Sequence, residues 1–182
     1  MHRGRALRRR RRATRLRAVR AAVSSIFASD AGPAGVHVRR ATANDLDAIV
    51  ALEDAAFQGD RISRRQWRHH LESLGAGVLL AIHDRRVVGA LLLLFRRGAR
   101  SGRLYSLAVA SGQRGRGIGE RLLRAAERAA RRRGVGAVTL EVRCDNGAAQ
   151  RLYERLGYQR CGMRAAYYED GADALRYRKS LG

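Results

Sequence analysis

Three groups of residues in this chain are equipped for chemistry: the loop Arg114-Gly115-Arg116-Gly117-Ile118-Gly119, the carboxylate of Glu141, and the phenol of Tyr153 twelve residues further on. The loop follows a strand that ends at Val109. It opens an amphipathic helix, starting near Gly117, whose apolar side carries Leu122, Leu123 and Ala126. Glycines let backbone N–H groups approach a ligand closely, and a helix N-terminus adds unpaired donors and the positive end of a dipole. That combination suits a diphosphate; the other reading of the same residues is a solvated Gly/Arg turn. The spacing excludes two common phosphate loops. A Walker loop ends in Gly-Lys-Ser/Thr, which is missing, and Gly115-x-Gly117-x-Gly119 lacks the Gly-x-Gly-x-x-Gly period of a dinucleotide fold.

Over 137–143, alternation puts Val138, Leu140 and Val142 on one face of a strand and Thr139, Glu141 and Arg143 on the other. Helices should cover that strand, and partial desolvation strengthens a carboxylate as a proton acceptor. Glu141 therefore reads either as a general base or as half of an ion pair with Arg143 or another arginine. Tyr153 sits on the following helix beside the stripe Ala149, Leu152 and Leu156. It reads as packing with its hydroxyl at the rim, or as a catalytic group. Asn146 precedes that helix and reads as its N-cap.

The elements that position these residues follow from periodicity and punctuation. VHVRRA (36–41) is a strand. Thr42-Ala43-Asn44-Asp45 caps a helix with Leu46, Ile49, Val50, Leu52 and Phe57 at helical spacing, and Ser63 caps a second one holding Trp67, Leu71 and Leu74. Residues 77–84 and 87–95 form an antiparallel hairpin turned at Asp84-Arg85-Arg86, and 104–109 is the next strand. The helix 117–132 ends on Arg131-Arg132-Arg133 with Gly134 as C-cap. Strand 137–143, helix 147–156 and strands 158–165 and 173–179 complete the chain. The order βααβββαβαββ predicts an α/β (α+β) fold with a mixed, mostly antiparallel sheet and helices on both faces.

The glycine loop followed by VTLEVRCDNGAAQRLYERLGY (138–158) resembles the GNAT superfamily of acetyl-CoA-dependent N-acetyltransferases over residues 36–182. Tyr167-Tyr168 and Asp173-Ala174-Leu175 make the C-terminal half look most like the ribosomal-protein-alanine N-acetyltransferases. The resemblance implies acetyl-CoA as cosubstrate and direct transfer to an amine in a ternary complex. It implies that the strand at Leu107, Ala108 and Val109 splays from strand 137–143 and pairs with the pantetheine arm. It implies a pyrophosphate cradle at Gly115, Arg116, Gly117, Ile118, Gly119 and Glu120, opened by Arg114, and an Asn146 that holds the pantetheine. It gives Glu141 the role of base and Tyr153 that of the group that protonates the coenzyme sulfur. The acceptor it implies is a protein N-terminal amine, with lysine or a small amine as alternatives. The segment from Tyr168 to Asp173 is shorter than in the ribosomal-protein enzymes, and it would border the acceptor groove.

Composition bounds what remains. Net charge is +22 with 38 Lys+Arg, of which Lys179 is the only lysine. A codon-biased solvated surface and a polyanion-binding surface both account for that. Residues 1–20 hold ten arginines and no acid, and 28–35 (ASDAGPAG) read as a linker. Residues 1–35 are thus expected to be a disordered extension ahead of the domain 36–182: a misread start, a ribosome- or RNA-binding tail, or a targeting peptide. No stretch has the length and apolarity of a membrane span. Cys144 and Cys161 lack a Cys-x-x-Cys spacing, and the adjacent His69-His70 lack the i, i+4 spacing of helical metal ligands. Reduced thiols, no metal and a cytoplasmic location are the expectation. An acetyl-cysteine route is disfavoured because no histidine stands beside Cys144 in sequence. A non-enzymatic RNA-associated basic protein is the competing class, and aromatics at 5% do not interleave with the arginines to support it.

Overall fold

Alternate residues of the hairpin strands feed two different cores, which forces a sheet covered on both sides. The computed structural model describes residues 30–31 and 35–182. Its strands are β1 (Asp30–Ala31), β2 (Val36–Arg40), β3 (Ala76–His83), β4 (Arg86–Phe95), β5 (Ser101–Val109), β6 (Ala137–Arg143), β7 (Gln159–Arg164) and β8 (Ala174–Ser180). Its helices are α1 (Leu46–Ala56), α2 (Arg64–Glu72), α3 (Ile118–Arg132) and α4 (Gly147–Arg155). They form one sheet in the order β1-β2-β3-β4-β5-β6-β8-β7, antiparallel except for the parallel pair β5–β6. From Val36 onward the order is the predicted βααβββαβαββ. The expected linker differs: Asp30 and Ala31 pair with Val38 and His37 at the sheet edge. The rest of the arm, residues 1–29 and 32–34, lies outside the described residues.

Val78, Leu80 and Ile82 of β3 join Ala90 and Leu92 of β4 under α1 and α2, where Ile49 and Trp67 are fully buried. Leu79, Ala81, Leu91 and Leu93 face the opposite way, against Leu122, Leu123 and Ala126 of α3. That second core continues through Val138, Leu140 and Val142 to Tyr153, Leu156 and Tyr177. The two-residue turn Asp84-Arg85 takes left-handed φ values of 47° and 63°, matching the strands' twist. Ser63 caps α2 as expected: its Oγ accepts the Gln66 N–H at 3.4 Å, and its own N–H donates back to Gln66 Oε1 at 2.8 Å. Helix α3 ends at Gly134, whose φ of 70° suits a glycine.

The helices do not cover the whole sheet. On the side of Glu141, α1 lies on β4 and β5 and α2 on β3, and no residue of β6, β7 or β8 belongs to their core. The expectation that helices cover this face of β6 is therefore corrected. The face is dressed by arginines and by tyrosines of the β7–β8 loop.

Candidate active site

The glycine loop is open where a ligand would need it to be. Gly115 and Gly117 hold φ of 77° and 74°, and a Cβ on either would meet nothing within 4 Å. Gly117 is the N-cap of α3, so no N-cap side chain satisfies the first-turn donors of Ile118, Gly119 and Glu120. Gly119 has a different reason to be glycine. A Cβ there would come within 3.2 Å of Leu152 on α4, so it permits helix packing and does not face the open side. The Glu120 carboxylate turns to Arg124 at 2.9 Å and Arg155 at 3.8 Å, which removes the difficulty of an acid beside a diphosphate. Arg116 donates to Gln113 at 2.8 Å, and Arg114 reaches the Val109 carbonyl at 3.4 Å. Asn146 caps α4, accepting the Ala149 N–H at 3.1 Å.

Strands β5 and β6 pair only from Ser101↔Ala137 to Leu104↔Leu140. Beyond that point β5 stays on β4, with Leu107, Ala108 and Val109 opposite Leu91, Ala90 and Gly89, and leaves β6. The register shift between Leu92 and Leu93 leaves Tyr105 as a bulge residue where the wedge opens. The result is a strand edge with free backbone groups that an extended amide-bearing chain could pair with.

Glu141 is the first β6 residue past the last β5–β6 pair. Its side chain is only 7% exposed, and three guanidiniums face it. Arg103 Nε stands at 2.9 Å, Arg164 Nε at 3.6 Å and Arg176 Nε at 3.8 Å. Arg176 is its direct cross-strand neighbour. Arg103 also donates to the Tyr167 hydroxyl. Arg143, the partner expected from sequence proximity, instead binds Asp145 and Asp170 at 3.1 and 2.8 Å.

Tyr153 does not flank the stripe of α4; it is its buried centre, while Leu152 is half-buried. Its ring packs on Tyr158 and Tyr177, on the face of β6 opposite Glu141. Burial pushes its hydroxyl well above the ordinary phenol range, helped by Tyr168. Tyr168 is itself pushed up to about 12, by burial first and then by Tyr167, with Asp60 and Glu141 adding smaller contributions. Asp60 accepts the Glu169 N–H at 3.2 Å, tying the α1–α2 loop to the β7–β8 loop.

Sequence patterns gave no sign of Arg103 or Asp60 as parts of this region, and little of Glu53. Glu53 is 3% exposed on α1, accepts the Ile62 N–H at 3.0 Å, and accepts the Ser106 hydroxyl of β5 at 3.4 Å. Burial pushes its carboxyl up, against those two hydrogen bonds. Its one legible signal was an acid at i+4 from Ile49, inside the apolar stripe. A hollow of about 370 Å³ lined by His83, Asp84, Arg86, Val88 and Gln113 lies at the β3–β4 turn and does not reach Glu141. Among the described residues no group of His, Cys, Asp and Glu could hold a metal ion, and no helix is long and apolar enough to cross a membrane. Cys144 and Cys161 are free and exposed.

The sequence profile of the Acetyltransferase (GNAT) family matches residues 46–158, which contain the glycine loop, Glu141 and Tyr153. The chain belongs to the GNAT family of acetyltransferases. As an enzyme of this family it is an N-acetyltransferase, and GNAT enzymes use acetyl-CoA. N-alpha-acetyltransferase RimI of Mycobacterium tuberculosis is 46% identical over 80 residues, 43% of this chain and 49% of that protein. The match thus spans about half of that relative's length. N-alpha-acetyltransferase 30 of Schizosaccharomyces pombe is 31% identical over 118 residues, 63% of this chain and 79% of that protein. In fold, the GNAT domain resembles the ribosomal-protein-S18-alanine N-acetyltransferase of Escherichia coli. The TM-score is 0.73 at 23% identity, covering 81% of this chain and 94% of that one.

Proposed function

We propose that this enzyme moves the acetyl group of acetyl-CoA to the N-terminal amine of a protein, with Glu141 as base and Tyr153 as acid. The observation that carries the reading is the position of Glu141: a nearly buried carboxylate at the point where β5 and β6 part. The loop Gly115–Glu120, opened by Arg114, is proposed to hold the diphosphate on the first-turn N–H groups of α3, where two glycines leave room. The open edge at Leu107, Ala108 and Val109, with Asn146 across the wedge, is proposed to hold the pantetheine.

Acetyl-CoA supplies a thioester carbonyl. The amine arrives as an ammonium and gives its proton to Glu141, directly or through one water. The neutral nitrogen then attacks the carbonyl carbon and a C–N bond forms; the nitrogen, now cationic, gives its second proton to solvent water, and the C–S bond breaks as the tetrahedral intermediate collapses. Tyr153, kept protonated by burial, donates its proton to the departing sulfur. A backbone amide at Leu107, Ala108 or Val109 is proposed to stabilise the oxyanion. An α-amine, with an ordinary pKa of about 8, is far closer to neutral than a lysine at about 10.4. The two relatives named N-alpha-acetyltransferases support the same acceptor. A cytoplasmic site, where nascent chains emerge, and a ribosome contact through residues 1–20 belong to this reading.

The test is thiol release from acetyl-CoA with peptide libraries, and mass spectrometry to place the acetyl group. Acetylation at the peptide N-terminus is expected. Modification of lysine side chains with free N-termini left untouched would overturn the acceptor assignment while leaving the acetyltransferase intact.

A further inference from the structure

We infer that the acceptor subsite is built for an N-terminus carrying a carboxylate side chain at its first or second residue. The inference rests on the proposed N-terminal acetyl transfer and deepens it. Three guanidiniums converge on one carboxylate at Glu141, and among the described residues none of the three has another carboxylate partner. Arg103 is committed, with Nε on Glu141 and Nη2 on the Tyr167 hydroxyl. Arg164 and Arg176 are held less closely, although the Arg164 guanidinium lies over the Tyr167 ring at 5.6 Å. Each touches Glu141 only at long range through Nε, and their side chains are 48% and 41% exposed, with terminal nitrogens left over.

This excess poses a problem for the substrate as much as it offers a site. An α-amine reaches Glu141 as a cation, and it must approach a carboxylate outnumbered three to one by fixed positive charges. Like-charge repulsion at that distance disfavours a plain ammonium and any acceptor with a basic second residue. An acceptor that brings its own carboxylate cancels the excess. Its acidic side chain takes the fork of Arg164 or Arg176, the bidentate geometry a guanidinium offers a carboxylate. Arg164 and Arg176 lie on adjacent strands, β7 and β8, on the part of the sheet face that α1 and α2 leave uncovered. They therefore line an approach open to a peptide.

Among the described residues none of the neighbouring acids makes an ion pair with Arg103, Arg164 or Arg176. Asp170 and Asp145 are taken by Arg143, and Asp60 accepts the Glu169 N–H at the loop rim. Glu53 is buried under Ile62 and Ser106. Glu169 stands at the rim of the β7–β8 loop. The general basicity of the chain does not explain the arrangement either. Solvated arginines repel one another, whereas these three are gathered on one nearly buried carboxylate from three strands.

The test uses the full-length enzyme and heptapeptides identical except at positions one and two, carrying Glu, Gln or Lys there. Thiol release gives kcat/KM, and fluorescence anisotropy gives binding without acetyl-CoA. The Glu peptides are expected to exceed their Gln isosteres by about tenfold or more in kcat/KM, chiefly through KM, and the Lys peptides to fall below both. Raising salt to about 1 M, where the Debye length is near 3 Å, should erase most of the difference. In an Arg164→Gln/Arg176→Gln variant the Glu-to-Gln ratio should collapse toward one. Equal kcat/KM for Glu and Gln peptides, or a ratio untouched by salt, would overturn the inference in the wild-type protein alone. Thiol release from no peptide at all would instead bring down the N-terminal acetyltransferase reading, and the binding arm keeps the two failures apart.

Discussion

Two arginine–carboxylate sites in this molecule use the same chemical groups in opposite ways. Asp45, beside α1, is held by one guanidinium, with Arg39 donating to both oxygens at 2.9 and 2.7 Å. The Thr42 N–H and hydroxyl fill Asp45 Oδ2 at 2.7 and 2.9 Å. Charge is balanced one to one, and the acceptor capacity of the carboxylate is largely spent on its own chain. Glu141 is the reverse: three cations at 2.9 to 3.8 Å, only one of them in good hydrogen-bonding reach, at a parting of strands. In a chain with 38 basic residues an ion pair by itself carries little information. Saturation marks the scaffold pair, and oversubscription marks the site.

The largest expected effect comes from removing the Glu141 carboxylate. Glu141→Gln keeps the shape and leaves the three guanidiniums without their anion, so turnover at neutral pH should fall on the order of 10²–10⁴-fold. Because a free α-amine titrates near pH 8, the deficit should shrink as the buffer becomes alkaline and more substrate arrives already neutral. A pH–rate profile of both proteins checks this. Normal turnover by the variant at neutral pH would make Glu141 a scaffold residue like Asp45 and erase the contrast.

The same contrast divides the loop glycines. A side chain at Gly117 projects into open space, whereas one at Gly119 meets Leu152. Gly117→Val should weaken acetyl-CoA binding by about ten- to a hundredfold, adding about 1–2 kcal/mol of local backbone strain at a left-handed φ. Gly119→Val should chiefly destabilise the fold, by about 1–3 kcal/mol, through overpacking of α3 on α4. Calorimetric titration beside thermal melts separates them. Equal effects on affinity and melting temperature for both variants would show that the two positions are not distinct.

Local pattern carried much of this. Element order, the Ser63 and Asn146 caps, the Gly134 stop and the loop itself were legible because each is written within a few consecutive residues. Alternation also put Glu141 and Leu140 on opposite faces. It could not say which face a helix would cover, because that depends on where α1 lands on the sheet, and α1 stops short of β6. Arg103 and Glu141 are 38 residues apart, Glu53 and Ser106 53, and Asp60 and Glu169 109. Their pairing exists only after the sheet has formed. Tyr153 was misplaced for a related reason: a stripe of Ala149, Leu152 and Leu156 defines a helix face only to within a residue, and the larger ring took its centre. The shape of the acceptor side is the least legible part because it is made of side chains from β5, β6, β7 and β8 at once.

The smallest expected effect tests the scaffold pair. Hydrogen bonds from Arg39, and less so from Thr42, hold the Asp45 carboxyl down at about 2 against an ordinary 3.8, with burial opposing them. A carboxyl depressed on folding stabilises the native state at any pH above its unfolded value. That contribution fades as pH falls from about 3.8 through about 2, where the folded form also takes up its proton. Asp45→Asn should therefore cost about 1 kcal/mol at neutral pH, solvent screening at this partly open site keeping the figure low. The two proteins should converge in stability toward pH 2. Denaturant melts at pH 7, 4 and 2.5 read the difference directly, and turnover at pH 7 should be unchanged because Asp45 touches none of the groups around the wedge. A loss of activity out of proportion to the loss of stability would mean that the start of α1 sets the geometry of Glu141 after all, and that the saturated pair is part of the site.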